Sequence, residues 1–259
     1  MNPRAYSYLI FGLVALSPFL GALVTGLEGR QGASPAGVVH IAVAGIVAAG
    51  AIVQAVVLRR EQRSARIMNA LALILLALEG WSGGGGTAAL PDSVAVAHAA
   101  MAPLLAGVCA VIPDLLAPDG DSLYLEHGRT IRLISFWLPA LTLIQIIFGA
   151  LYRHRIWEVL PHMAGGLVVA LLALIVSTML LQRAPEGTPL RSAAVMLLSA
   201  VLTQVTLGIA AFVMRLLEAD MTMAFTIVAA LHVATGSAVF FSGCILAVRS
   251  QKIAFGESQ

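Results

Sequence analysis

Charge is what this sequence has least of. Of 259 residues, 11% are Asp, Glu, Lys or Arg, against roughly 25% in an ordinary soluble domain. So little polar surface cannot cover a water-soluble globule, and 59% of the residues are hydrophobic. Lipid must therefore solvate much of the exterior. Cysteine is nearly absent: Cys109 and Cys244 both fall inside apolar runs. No loop offers a disulfide pair, and both thiols read as small core residues. Aromatics make up 6%, and no Lys/Arg cluster is interleaved with them as nucleic-acid binding would need. A net charge of +2 says little about partners. No polar stretch is long enough for a separate soluble domain.

What fills the chain instead is apolar segments, at residues 8–26, 38–58, 67–81, 94–116, 133–152, 162–182, 192–214 and 223–248. Each approaches the roughly 20 residues that cross a bilayer, and the third extends into the glycine run Gly83–Gly86. The expected fold is an all-α integral membrane protein of eight transmembrane helices. Arg4 before the first run resembles a signal peptide, but the run is long and Pro35 spoils the cleavage site near Gly32–Ser34. It reads as a retained first helix.

Orientation follows from the basic residues. With the N-terminus in the cytoplasm, the inside holds Arg4, Arg59, Arg60, Arg63, Arg66, Arg129, Arg132, Arg183, Arg191, Arg249 and Lys252, and the outside only Arg30, Arg153, Arg155 and Arg215. This asymmetry places both termini on the cytoplasmic side.

The chain also reads as duplicated. Gly21-Ala22-Leu23 closes the first helix and Gly149-Ala150-Leu151 the fifth. His40 opens the second helix and His162 the sixth; Ala97-His98 in the fourth parallels Leu231-His232 in the eighth. Gln145 precedes Gly149 by four residues, as Gln204 precedes Gly208. The simplest description is two pseudo-symmetric four-helix halves, 1–126 and 127–259, in the same orientation.

Four of the six histidines lie in helices, all even-numbered, and all in the half of the membrane where those helices begin. His127 and His154 lie in loops. Ionisable groups inside a membrane are costly and by default mark function, and imidazole is a ligand for heme iron. Two imidazoles on facing helices at similar depth can hold a heme, which pairs His40 with His98 and His162 with His232. His232 lies deepest, about 12 Å along its helix at 1.5 Å per residue. A single membrane histidine is more often an interhelical hydrogen-bonder; four in a repeated arrangement favour heme. Zinc or copper is less suited, because no carboxylate or thiol is expected at the histidine level. Ala44, Ala102, Gly166 and Gly236 each follow a histidine by four residues, which leaves room for a porphyrin or, equally, for close helix packing.

Arg153 and Arg215 are candidate partners for heme propionates, or ordinary interfacial residues. The Arg59–Arg66 cluster reads as a topology signal. Glu79, before the glycine run, reads as a solvated interfacial residue that could also take a proton or pair with an arginine. Glu28 and Glu158 lie in outside loops and could carry protons near a heme edge.

Several stretches are similar to one known family, the heme A synthases of cytochrome oxidase assembly. These are Glu79-Gly80-Trp81-Ser82 with Gly83–Gly86 and Thr87, Leu90-Pro91, Ala97-His98, Gln145 through Gly149-Ala150-Leu151-Tyr152-Arg153-His154, Pro161-His162, Gln204-Val205-Thr206-Leu207-Gly208-Ile209 and Leu231-His232. Their order spans nearly the whole chain. The resemblance implies two four-helix bundles with heme near the outer face. It implies a heme b cofactor on His162 and His232 and a substrate-heme site at His40 and His98. The implied reaction oxidises the C8 methyl of heme O to the formyl of heme A. Heme O synthase or respiratory-complex subunits become expected partners, besides membrane lipid.

Two features depart from that family. It usually carries a glutamate three residues before the first histidine, where Gly37 stands, and many bacterial members have a cysteine pair in the first outside loop, which here has none. Glu28 is the nearest replacement carboxylate and the candidate catalytic residue. The departures favour a second reading on the same scaffold: a non-enzymatic b-type cytochrome, an electron carrier or a respiratory-complex subunit. A transporter is the third reading, but the broken helices and paired midplane charges expected of one are missing.

Overall fold

In lipid every backbone N–H and C=O must find a partner within the protein, so apolar runs of this length have one solution, the helix. The computed structural model describes residues 2–31, 35–83, 91–118, 123–220 and 222–254. Among these, eight helices are long and apolar enough to cross a membrane. They are α1 (Pro3–Gln31), α2 (Pro35–Val57), α3 (Arg63–Gly83), α4 (Asp92–Leu115), α5 (Gly128–Arg153), α6 (Val159–Arg183), α7 (Pro189–Leu216) and α8 (Met223–Ser250). The chain is a multi-pass, all-α membrane protein.

The helices run past the apolar segments. Glu28 and Arg30, expected in a loop, belong to the last turns of α1, while Arg63 and Arg66 lie in the first turn of α3 and Arg129 and Arg132 in that of α5. Hydropathy marks the lipid-facing part of a helix; backbone hydrogen bonding continues into the interface until capping or sterics stop it. Thr188 and Thr222 supply such caps. Their hydroxyls accept from the backbone N–H of Arg191 (3.2 Å) and Phe225 (3.1 Å), and Pro189 occupies the first position of α7, where its missing N–H costs nothing. The side chains of residues 28–31, Glu28 included, and the glycine run beyond Gly83 through Leu90 lie outside the described residues.

α4 is the most enclosed helix. It packs against α1, α3, α5 and α8, and α8 in turn against α1, α4, α5 and α7. Small residues permit this. A Cβ on Gly107 of α4 would meet the ring of Phe240 and the sulfur of Cys244 on α8, and a Cβ on Gly26 would lie 2.6 Å from Thr226. The Phe11 and Phe241 rings cross edge to face at 5.0 Å between α1 and α8. Large apolar side chains such as Ile41, Ile52, Leu167 and Ile209 stay exposed, as lipid-facing positions should. Both cysteines are free thiols, Cys109 buried and Cys244 partly so.

At the end away from the helical histidines, Arg249 of α8 grips Asp114 of α4 through two bonds of 3.0 Å and donates to the Pro189 carbonyl at 2.6 Å. The short strand β1 (Leu123–Tyr124) pairs in parallel with β2 (Ile253–Ala254), tying the tail to the α4–α5 connection. The Asp114 carboxylate is nearly enclosed at 8% exposure. Removing one member of such a pair strands the other's charge, at a cost of roughly 3 kcal/mol. Asp114→Ala should therefore lower the melting temperature of the purified protein in detergent clearly; an unchanged melting curve would show that the pair carries no stability.

Candidate functional site

The α1–α2, α3–α4, α5–α6 and α7–α8 hairpins each place one histidine against a glycine of the preceding helix. A Cβ on Gly21 would lie 3.4 Å from Cε1 of His40; on Gly83, 2.8 Å from that of His98; on Gly149, 2.9 Å from that of His162; on Gly208, 2.9 Å from that of His232. In all four hairpins the imidazole comes close to the backbone of the preceding helix. All four histidines are half-buried, so each ring keeps an open side.

His162 and His232 come together. Their ring centroids are 6.1 Å apart and their planes stand at 85°. Counted along the helices this is unexpected, because His162 is the fourth residue of α6 and His232 the tenth of α8. Six residues amount to about 9 Å of axial rise. The stagger of the helix starts absorbs that difference.

Each of these rings is held by a glutamine. The Nδ1–H of His232 donates to the Gln204 carbonyl at 3.2 Å, leaving the Nε2 lone pair to accept from the Gln204 amide, also at 3.2 Å. Thr235 donates its hydroxyl proton to Gln204 Oε1, fixing the amide. At His162, Gln145 Nε2 lies 2.7 Å from Nδ1 and donates to the His162 carbonyl at 2.5 Å, while Gln145 Oε1 is buried without a partner. With the amide so placed Nδ1 accepts and Nε2 carries the proton. The amide cannot simply turn over, because Oε1 would then face the His162 carbonyl oxygen; ligation through Nε2 needs the amide to move away and the proton to shift to Nδ1.

His98 has a different partner. Its Nδ1 is 2.5 Å from Oε2 of Glu79 and 3.1 Å from the Ser82 hydroxyl. Glu79 is thus not the solvated interfacial residue expected from sequence: its side chain is 13% exposed, and Oε1 is buried without a partner. A carboxylate does stand at the histidine level. The Nδ1 of His40 is buried and unpartnered.

At two of the four small residues one turn after the histidines, Gly166 and Gly236, the space is taken by a side chain of the preceding helix. A Cβ on Gly166 would sit 3.1 Å from Gln145 Nε2, and one on Gly236 3.1 Å from Gln204 Nε2. These glycines accommodate the glutamines. The sequence marks Gln145 and Gln204 as part of the duplication and of the family resemblance, not as partners of the histidines; their i, i+4 spacing from Gly149 and Gly208 is the available signal, since it puts both on the face a histidine meets.

Arg153 reaches across to α1, donating from Nη2 to the Ala22 carbonyl at 2.7 Å, and the Arg215 guanidinium lies 5.0 Å over the Tyr152 ring. Both stand at the histidine end. Beyond α5, His154 is held below the ordinary imidazole range by burial and then by Arg153, against the pull of Asp92. At neutral pH the cation there is Arg153. Glu158 precedes α6 and makes no side-chain cap.

Two imidazoles that ligate one iron through bonds of about 2 Å, each with roughly 1 Å more to its ring centre, have centroids roughly 6 Å apart. The His162–His232 centroid separation is of that size, and the Nε2 lone pair of His232 becomes available to iron once the Gln204 amide turns away from it. Among the described residues no three or more His, Cys, Asp or Glu side chains gather, as a protein-ligated tetrahedral zinc site would need. A porphyrin supplies its own four nitrogens and asks the protein for two. Compared with known proteins, the chain matches no family model and no curated protein sequence.

Proposed function

We propose that this chain is a heme-binding membrane oxidoreductase resembling the heme A synthases. The observation that carries the reading is the meeting of His162 and His232 at the separation axial ligands require. In this reading His162 and His232 hold heme b, and His40 and His98 face a substrate heme, heme O, whose C8 methyl is oxidised to the formyl of heme A. Bound heme iron supplies one-electron redox chemistry at both places.

The chain's own residues do the rest. Gln204 and Gln145 hold the two imidazoles through hydrogen bonds to their ring nitrogens. Gly149 and Gly208 let the rings lie close to the helix backbone. Arg153 and Arg215 have guanidinium N–H groups at the same end to meet propionates. Glu28 is the candidate carboxylate for the substrate side.

Two pseudo-symmetric halves, 1–126 and 127–259, fit the packing. α1–α4 contact one another as α5–α8 do, and α4 and α8 meet between them. The basic-residue asymmetry supports both termini facing the cytoplasm, and the membrane in this reading is a bacterial cytoplasmic one. Heme O synthase or respiratory-complex subunits would deliver the substrate or take the product.

The second reading, a b-type cytochrome without synthase activity, is favoured by Gly37 at the position of the family glutamate. Co-expression with a source of heme O separates the two. Pigment extraction is expected to yield heme A or its alcohol intermediate; heme b with unconverted heme O would instead establish the cytochrome.

A further inference from the structure

Three of the four histidine hairpins are built to one register, and the residue that differs among them is informative. On α5, Gln145 and Gly149 face His162; on α7, Gln204 and Gly208 face His232; on α3, Glu79 and Gly83 face His98. In each the polar residue stands four before the glycine, one turn away on the same face. Glu79 and Gln145 both meet Nδ1 of their histidine, and glutamate and glutamine share a shape, so these two hairpins differ at this position chiefly by one negative charge; the Gln204 amide meets Nε2 of His232 instead. On α1 the same position is Ser17, and the Nδ1 of His40 has no partner.

From this we infer that Glu79 is a positioning residue that makes the His40–His98 pair the more electron-donating of the two histidine sites, where bound iron favours its oxidised state. The inference rests on the proposed reading of both pairs as iron ligands. A carboxylate that accepts the Nδ1–H of a ligating histidine fixes Nε2 as the donor atom and raises its basicity. Its charge also stabilises the additional positive charge of ferric iron, the more so in surroundings of low dielectric. Among the described residues no Lys or Arg pairs with Glu79, and its Oε1 is enclosed without a partner, so the charge is not neutralised locally. Gln145 and Gln204 can orient His162 and His232 but lend them no charge. Electrons would pass from the Glu79 site toward the one held by glutamines.

A simple helix clamp would use Glu79 only for its hydrogen bond, and glutamine could replace it. The test is a spectroscopic redox titration of the full-length protein loaded with heme b in detergent. The wild type should titrate as two components of different midpoint. In Glu79→Gln the lower component alone should rise, by about tenfold or more in ferric-to-ferrous ratio, or 59 mV per tenfold for one electron; Glu79→Asp should recover part of the shift. The reciprocal Gln145→Glu, which places a carboxylate beside His162, should lower the higher component and keeps the test open if Glu79→Gln folds poorly. Two bound hemes whose potentials ignore both substitutions, or move together, overturn the role of Glu79 alone. A wild-type protein that takes up no heme overturns the reading beneath it as well.

Discussion

His232→Ala and His162→Ala should each leave the purified protein without its tightly bound low-spin heme. A porphyrin iron held by two imidazoles would lose half of its protein bonds when either is removed. Gln204 and Thr235 beside His232 are an amide and a hydroxyl, poor ligands for heme iron. The loss should be close to complete at that site in both variants, read as heme per chain and as the low-spin absorption bands. His40→Ala and His98→Ala should leave this spectrum in place, because those rings belong to the other pair. Helix content by circular dichroism should match the wild type throughout. Full low-spin spectra in both C-terminal variants would remove the assignment.

The second large effect is steric and concerns the glycines under the rings. A Cβ added at Gly149 or Gly208 would lie 2.9 Å from the imidazole carbon above it, closer than such atoms come. The ring must then tilt or the helices must part. Overpacking of this kind costs about 1–3 kcal/mol, and displacement of a ligand by less than 1 Å degrades a two-sided site. Gly208→Val and Gly149→Val should accordingly convert low-spin to high-spin heme or lose it. Gly21→Ala provides the contrast. Its Cβ would meet His40 at 3.4 Å, ordinary contact, so spectrum and stability should be preserved. Equal tolerance of valine at Gly208 and alanine at Gly21 would mean that the glycine–histidine contact does not place the ring.

These two sets of residues differ in how readable they were. The eight spans follow from hydropathy because lipid acts on each segment separately. The four helical histidines stand out because an imidazole in an apolar run has few other reasons to be there. The pairing of His162 with His232 could be proposed from the repeat, yet its height match depends on a stagger between α6 and α8 that helix counting does not contain. Partner choice was harder still. Glu79 reads as interfacial because it borders the glycine run, and only the rotation of α3 against α4 turns it onto His98. Gln145 and Gln204 needed the same kind of information. Gly166 and Gly236 show the limit from the other side: small residues beside a histidine permit close approach without saying what approaches, and the occupant is a glutamine side chain. Glu28 illustrates a boundary error, since α1 runs on for several residues past its apolar stretch.

The most direct measurement is the visible spectrum of the purified wild-type protein, oxidised and then reduced, followed by acid-acetone extraction of its pigment. The account predicts a Soret band with low-spin α and β bands on reduction, and extractable heme b at one equivalent or more per chain, in keeping with axial imidazoles from α6 and α8. A colourless protein that stays colourless when supplied with heme would contradict it.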